Sequence, residues 1–304
     1  MPGVTAPTRV KLQNILFATD FSLSAQAAFS HALHLARRYD AGVYSVHVLP
    51  HMPFVESAQP AVGEVRASAE RDMTDLATSA LFRGVRHTEL IEEGEVSQVV
   101  SKLAQRYAID LIVIGTGGRK KLEKLLLGSV AEEVFRNAEC PVLTVGPHAT
   151  RGEIDGNLQH ILFATDFGRE SLHGLPYAIS LAEENRAHLT LLHVAPEPGV
   201  PLAEVHPGTL PLYDKEELIA SAESRLRGLM LEKHELCHEP EYAVQFGAPA
   251  DTIVKTAAAA DVIVLGVKRP TPFTKHLGAG VAYQVVCDAP CPVLSVGARH
   301  HAQG

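Results

Sequence analysis

The chain contains no tryptophan, and only 6% of its residues are aromatic. A surface that stacks successive bases of a single strand is therefore not expected. Its 304 residues include four cysteines, Cys140, Cys237, Cys287 and Cys291. So few thiols, so unevenly spaced, fit no disulfide framework and point to a reducing, cytoplasmic setting. Positive charge is also short, with 27 Lys and Arg against 35 Asp and Glu and a formal charge of −8. No general field is available to hold nucleic acid. Met1 to Thr8 place no apolar segment behind a positive start, so they do not read as a secretory signal. The longest apolar runs, such as Leu111–Ile114 and Ala257–Ala260, fall far short of the roughly 20 residues that cross a bilayer. The expectation is a globular protein with no membrane span and, at roughly 150 residues per domain, two domains.

What is present is a repeat. Ile15-Leu-Phe-Ala-Thr-Asp-Phe21 recurs letter for letter as Ile161–Phe167, 146 positions on. Val46-His-Val48 returns as Leu192-His-Val194, and Cys140-Pro-Val-Leu143 as Cys291-Pro-Val-Leu294, the latter at a spacing five residues longer. A period of this length means duplicated domains rather than a solenoid. The domains are expected at residues 1–146 and 158–299, joined by the polar stretch Pro147–Asn157.

Within the first copy, short apolar runs alternate with segments of helical period. Strands are expected at Asn14–Thr19, Gly42–Leu49, Thr88–Glu92, Leu111–Gly115 and Val142–Val145. Helices are expected at Ser22–Tyr39, Glu64–Phe82, Val96–Tyr107 and Ser129–Asn137. Strands apolar on both faces, alternating with crossover helices, make an α/β fold with a mostly parallel, doubly wound sheet. Such sheets bind ligands beyond the carboxyl ends of their strands, where the strand order reverses. Asp20 and Ser129 both fall at strand-to-helix corners, with capping residues in Asp20–Ser24. The Pro-rich stretch Pro196–Pro211 replaces His51–Gly63 as a loop suited to partner contact.

The segment that carries chemistry reads Gly115-Thr116-Gly117-Gly118, nine residues from Arg119 to Leu127, then Gly128-Ser129. Glycines let backbone N–H groups approach a phosphate closely, and the helix opening at Ser129 adds its unpaired N–H groups and dipole. Arg119, Lys120, Lys121 and Lys124 either screen phosphate charge or form a solvated loop face. Two glycine-bearing turns are also common in α/β proteins that bind no phosphate. Neither G-x4-G-K-[ST] nor a G-x-G-x-x-G after the first strand occurs, which disfavours P-loop hydrolysis and NAD binding.

Taken together, Ile15–Ser22, His47-Val48, G-x2-G-x9-G-S and Cys140-Pro-Val-Leu-Thr-Val145 resemble the universal stress protein family, over nearly the whole chain, twice. The resemblance implies two tandem Rossmann-like domains, each a five-stranded parallel sheet of order 3-2-1-4-5 flanked by four helices. It also implies dimerisation through the last strand and, with the full glycine pattern, ATP binding. Asp20, with Ala18 and Thr19 before it, then faces the ribose or a Mg²⁺ ion. Val48 meets adenine through its backbone. Gly115, Thr116, Gly118, Gly128 and Ser129 form the phosphate and ribose loop, continued by Val130 and Ala131. Asp20 suits either assigned role by its oxygens, and capping the first helix is its alternative.

The second copy departs where the motif matters. Gly266 matches Gly115, but Arg269 replaces Gly118, Ala279 replaces Gly128 and Gly280 replaces Ser129. Asp166 and Val194 remain. One competent ATP site per chain is expected, in the first copy. Among other constellations, His31 and His34 read as a solvated helix flank rather than a ligand pair. His234-Glu-Leu-Cys-His238 lacks a second cluster to complete a metal site. His47 and His193 read as hydrogen-bonded core histidines, and Cys140 and Cys291 as buried, inert thiols. The function expected is that of an ATP-binding, nucleotide-responsive stress factor, a homodimer or an intramolecular pseudo-dimer. No residue marks a dedicated ATPase, and slow hydrolysis is left open. The alternative is a dimerising scaffold that binds no nucleotide.

Overall fold

The computed structural model describes residues 10–51, 59–117, 129–146, 149, 158–197, 214–231, 234–268 and 280–297. The first half alternates β1 (Asn14–Ala18), α1 (Leu23–Tyr39), β2 (Gly42–Leu49), α2 (Gln59–Ala77), β3 (His87–Glu93), α3 (Val96–Arg106), β4 (Leu111–Gly115), α4 (Ser129–Asn137) and β5 (Val142–Val145). The second half repeats it as β6 (His160–Ala164), α5 (Leu175–Asn185), β7 (His188–Ala195), α6 (Lys215–Gly228), β8 (Glu241–Phe246), α7 (Pro249–Thr256), β9 (Val262–Val267), α8 (Val281–Asp288) and β10 (Val293–Gly297). One expectation needs correction: α2 begins at Gln59, inside the stretch His51–Gly63 expected as loop. Most of the join 147–157 and of the Pro-rich stretch 196–211 lies outside the described residues.

Strand order is β3-β2-β1-β4-β5-β10-β9-β6-β7-β8. Each half is parallel and doubly wound, while β5 and β10 run antiparallel and fuse the two into one sheet, Leu143 opposite Leu294. Alternate residues of each strand face opposite layers. Ile15 and Phe17 of β1 join one core cluster with α1 and α5, and Leu16 and Ala18 join the other with α3, α4, α7 and α8. Both clusters draw on both halves, so the core does not stop at the seam.

Helix α1 shows why the chain folds this way locally. Ser22 caps it, its hydroxyl accepting from the Ala25 N–H at 3.3 Å, and Ala25, Ala28, Phe29, Ala32, Leu33 and Ala36 make its buried stripe. Asp40, at φ 51°, ends it in the left-handed conformation, as Arg186 ends α5 at φ 56°. Among the described residues no helix is long and apolar enough to cross a membrane.

At the seam the buried Thr144 hydroxyl donates to the Val293 carbonyl at 3.1 Å. Thr144→Val keeps the side-chain shape and removes this bond. The expected loss is about 1 kcal/mol in chemical denaturation, with the secondary structure unchanged. A variant as stable as the parent would show that the bond does not hold the seam.

Candidate functional site

Strand order reverses between β1 and β4, and there the sheet leaves a cleft of about 270 Å³ at the carboxyl ends of its strands. Four segments build it: Ala18, Thr19 and Asp20 at and just beyond the end of β1, Val48 on β2, Gly115 and Thr116 at the end of β4, and Val130 and Ala131 in the first turn of α4. Ser129 opens α4, so its backbone lies at this corner. Gly118 and Gly128, with the basic residues between them, lie outside the described residues. His47, Val96 and Gly117 also line the cleft and were not singled out for it from the sequence. The His47-Val48 pair and the second glycine of Gly115–Gly118 were the available signals.

The turn after β1 is held by its own side chains. The Phe21 N–H donates to Thr19 Oγ1 at 2.9 Å, and the Ser22 N–H to Asp20 Oδ1 at 3.0 Å. Asp20 is thus not the helix cap, a role taken by Ser22; it shapes the turn through one oxygen while its carboxylate borders the cleft. The Thr19 N–H donates to the Val46 carbonyl, and the Gly94 N–H to the Leu49 carbonyl on the other side of β2. Backbone groups alternate sides along a strand, so Val48 directs its N–H and C=O the same way as Val46, toward the space where β1 has ended. That is an exposed donor–acceptor edge inside the cleft. Opposite it, the first N–H groups of α4 have no carbonyl within their own helix to bond.

Gly115 is needed for a reason other than phosphate. A Cβ there would sit 2.6 Å from the Ser24 carbonyl, where the start of α1 crosses β4. The Gly117 carbonyl then accepts from the Ser22 hydroxyl at 3.2 Å and from the Ser24 hydroxyl, tying the end of β4 to α1.

His47 is half-buried, with Nδ1 2.8 Å from the Thr19 carbonyl, and His193 repeats this on Thr165 at 2.9 Å. Next to Val96 in the chain, Glu95 caps α3. The Ser97 hydroxyl, together with the Ser97 and Gln98 N–H groups, pulls its pKa down to about 2. Glu133 on α4 shares a hydrogen bond with it and is pushed up. In the second half, burial opposes ionisation of Asp166, but hydrogen bonds from the Ser171 hydroxyl and the Gly168 N–H, with His193 nearby, leave its pKa lowered. Val267 and Lys268 follow Gly266 there, whereas Arg269 and Ala279 lie outside the described residues.

The remaining constellations resolve as follows. His31 and His34 are half-buried rather than solvated, and burial followed by the charge of His34 pushes His31 down to about 4. His238 stacks on His188 at 3.8 Å, and His234 Nδ1 lies 4.0 Å from Glu183. Among the described residues no group of three His, Cys, Asp or Glu side chains is arranged to hold a metal. No disulfide joins the four cysteines; Cys291 is buried as expected, whereas Cys140 is only half-buried.

A universal stress protein of Methanocaldococcus jannaschii is 37% identical over 139 residues, which make up 44% of this chain and 81% of that protein. The crystal structure of a universal stress protein from Archaeoglobus fulgidus matches 94% of this chain and 98% of its own, with a TM-score of 0.68 at 19% identity. A functionally unknown protein from Pseudomonas aeruginosa matches 95% and 93%, with a TM-score of 0.60 at 17% identity, a likeness of fold alone. The model of the universal stress protein family matches twice, at residues 11–146 and 157–297. The chain is therefore a tandem member of the universal stress protein family.

Proposed function

We propose that the first half binds ATP in the cleft between β1 and β4, and that the protein acts as a nucleotide-responsive stress factor of the cytoplasm. The observation that carries this reading is the open backbone edge of Val48, placed across the cleft from the N-terminus of α4. A backbone N–H and C=O side by side match the paired acceptor and donor of an adenine edge. The Asp20 carboxylate accepts from ribose hydroxyls. The N–H groups of Val130 and Ala131, continued by Gly118, Gly128 and Ser129, take the phosphates. Mg²⁺ fits as an ion held mainly by phosphate oxygens and water, with Asp20 as its single protein ligand. Among the described residues no general base adjoins the phosphate end, so the reading is of a binding protein, with turnover slow if it occurs.

Calorimetry of the nucleotide-free chain with ATP and Mg²⁺ tests this, and Val130→Glu supplies the contrast. Val130 is 38% exposed in the first turn of α4, so a glutamate is tolerated by the helix and sets a negative charge where phosphates are expected. ATP should bind the variant roughly tenfold or more weakly, a change of about 1.4 kcal/mol, while adenosine binds both proteins alike. No heat from the parent chain would leave the scaffold reading. We further propose that pairing of the two halves makes the chain a self-contained pseudo-dimer, so that light scattering returns the mass of one chain.

A further inference from the structure

Equivalent positions of the two halves meet at the seam. Leu143 of β5 lies opposite Leu294 of β10. Glu132 on α4 and Tyr283 on α8 are equivalent as well, each standing eleven residues ahead of its leucine. They face each other as the leucines do. The Tyr283 hydroxyl donates to Glu132 Oε2 at 3.5 Å, and the Arg136 guanidinium lies 5.9 Å from the Tyr283 ring centroid. Arg136 holds the other oxygen of Glu132, at 2.9 Å from both Nε and Nη2. One oxygen of this carboxylate is thus taken by α4 itself and the other by the second half. Identical halves would set two glutamates or two tyrosines against each other here. The unlike pair instead gives an acceptor its donor.

The surroundings of Tyr283 keep it a donor. Burial, then the charge of Glu132, pushes its pKa up, so the hydroxyl retains its proton. Cys287, one turn on, stands where Arg136 stands on α4, and its thiol hydrogen-bonds the same hydroxyl. The second half therefore brings no cation of its own to this contact, and Arg136 serves both sides.

Glu132 lies in the first turn of α4 and directly follows Ala131, which lines the nucleotide cleft. A carboxylate in a first turn favours the helix through its dipole, but it also competes with any anion brought to the same N–H groups. Where its charge is held then matters to a phosphate.

We propose, resting on ATP binding in that cleft, that Tyr283 is a positioning residue for the phosphate end, contributed by the second half to the first. It ties the Glu132 carboxylate beside Arg136, so that the charge does not swing toward incoming phosphates, and it steadies the turn whose N–H groups receive them. The second half has departed from the glycine motif, yet the site in the first half is incomplete without it.

The test is calorimetry of the full chain with ATP and Mg²⁺, and separately with adenosine. Tyr283→Phe keeps the ring and its packing and removes only the hydroxyl. ATP should bind this variant about threefold to tenfold more weakly, while uncharged adenosine binds it as it binds the parent. Glu132→Gln removes the charge, and in that background loss of the hydroxyl should change ATP affinity by less than about twofold. Thr144→Val loosens the seam elsewhere and should leave ATP affinity unchanged. Equal ATP binding by the parent and Tyr283→Phe, an equal loss for adenosine, an equal loss in the Glu132→Gln background, or the same loss from Thr144→Val would overturn the proposal while ATP binding by the parent stands. A parent chain that binds no ATP would instead sink the nucleotide reading, and the role of Tyr283 with it.

Discussion

Gly266→Ala is expected to destabilise the chain by roughly 3–5 kcal/mol, among the largest effects available to a single added methyl. Its Cβ would fall 2.2 Å from the carbonyl oxygens of both Glu170 and Ser171, where the turn leading into α5 lies across β9. Both obstacles are backbone, so no side-chain rotation relieves the clash. Gly115→Ala meets the Ser24 carbonyl at 2.6 Å and should cost somewhat less. The pair is informative because the second half has lost the later motif glycines and keeps this one. A packing demand explains that retention; a phosphate demand does not. Reduced nucleotide binding by Gly115→Ala is therefore no sign of direct contact, which is why Val130→Glu is the discriminating variant. Urea denaturation measures both costs, and a Gly266→Ala chain within about 1 kcal/mol of the parent would sink the packing account.

The second large effect is acid sensitivity from His31. Burial, then the neighbouring His34, lowers its pKa in the folded chain to about 4, against 6.5 when solvated. Between those values the unfolded chain binds the proton and the folded chain does not, so stability rises with pH across this window and is lost as pH falls. From pH 7 to pH 5 the parent should lose about 2 kcal/mol more than His31→Gln, which has nothing to titrate there. His34 and His87 are lowered in the same direction and add to the slope in both proteins. Denaturation curves at the two pH values decide it. Parallel losses in parent and variant would mean that His31 is protonated in the folded state.

Much of this architecture is legible in the amino-acid pattern. Leu111–Ile114 reads as a strand because a strand covered on both faces must be apolar throughout, and β4 begins there. Helix α2 was hidden at its start: Pro60 and Gly63 punctuate like a loop, yet proline is tolerated in a first turn whose N–H groups have no helical partner. The burial of His31 is invisible on a helical wheel, which groups it with Ser30, Arg37 and Arg38; a helix's own sequence does not record what packs against its flank. Gly115 was legible as a glycine of consequence but not for its cause, since close approach of a ligand and close approach of a helix demand the same missing Cβ. The Val48 edge depends on where β1 stops relative to β2, a register that composition does not carry. The β5–β10 seam came from family resemblance rather than from its residues, because Val142–Val145 and Val293–Gly297 look like any buried strand.

That seam has an evolutionary consequence. Where two identical subunits meet across a twofold axis, each substitution is written into both at once, and neither can change without the other. Here the partners are covalently joined, so dilution cannot part them and each is free to drift alone. One half has Arg269, Ala279 and Gly280 where the other has Gly118, Gly128 and Ser129. Fusion lets the two copies differ at a motif without either imposing its change on the other.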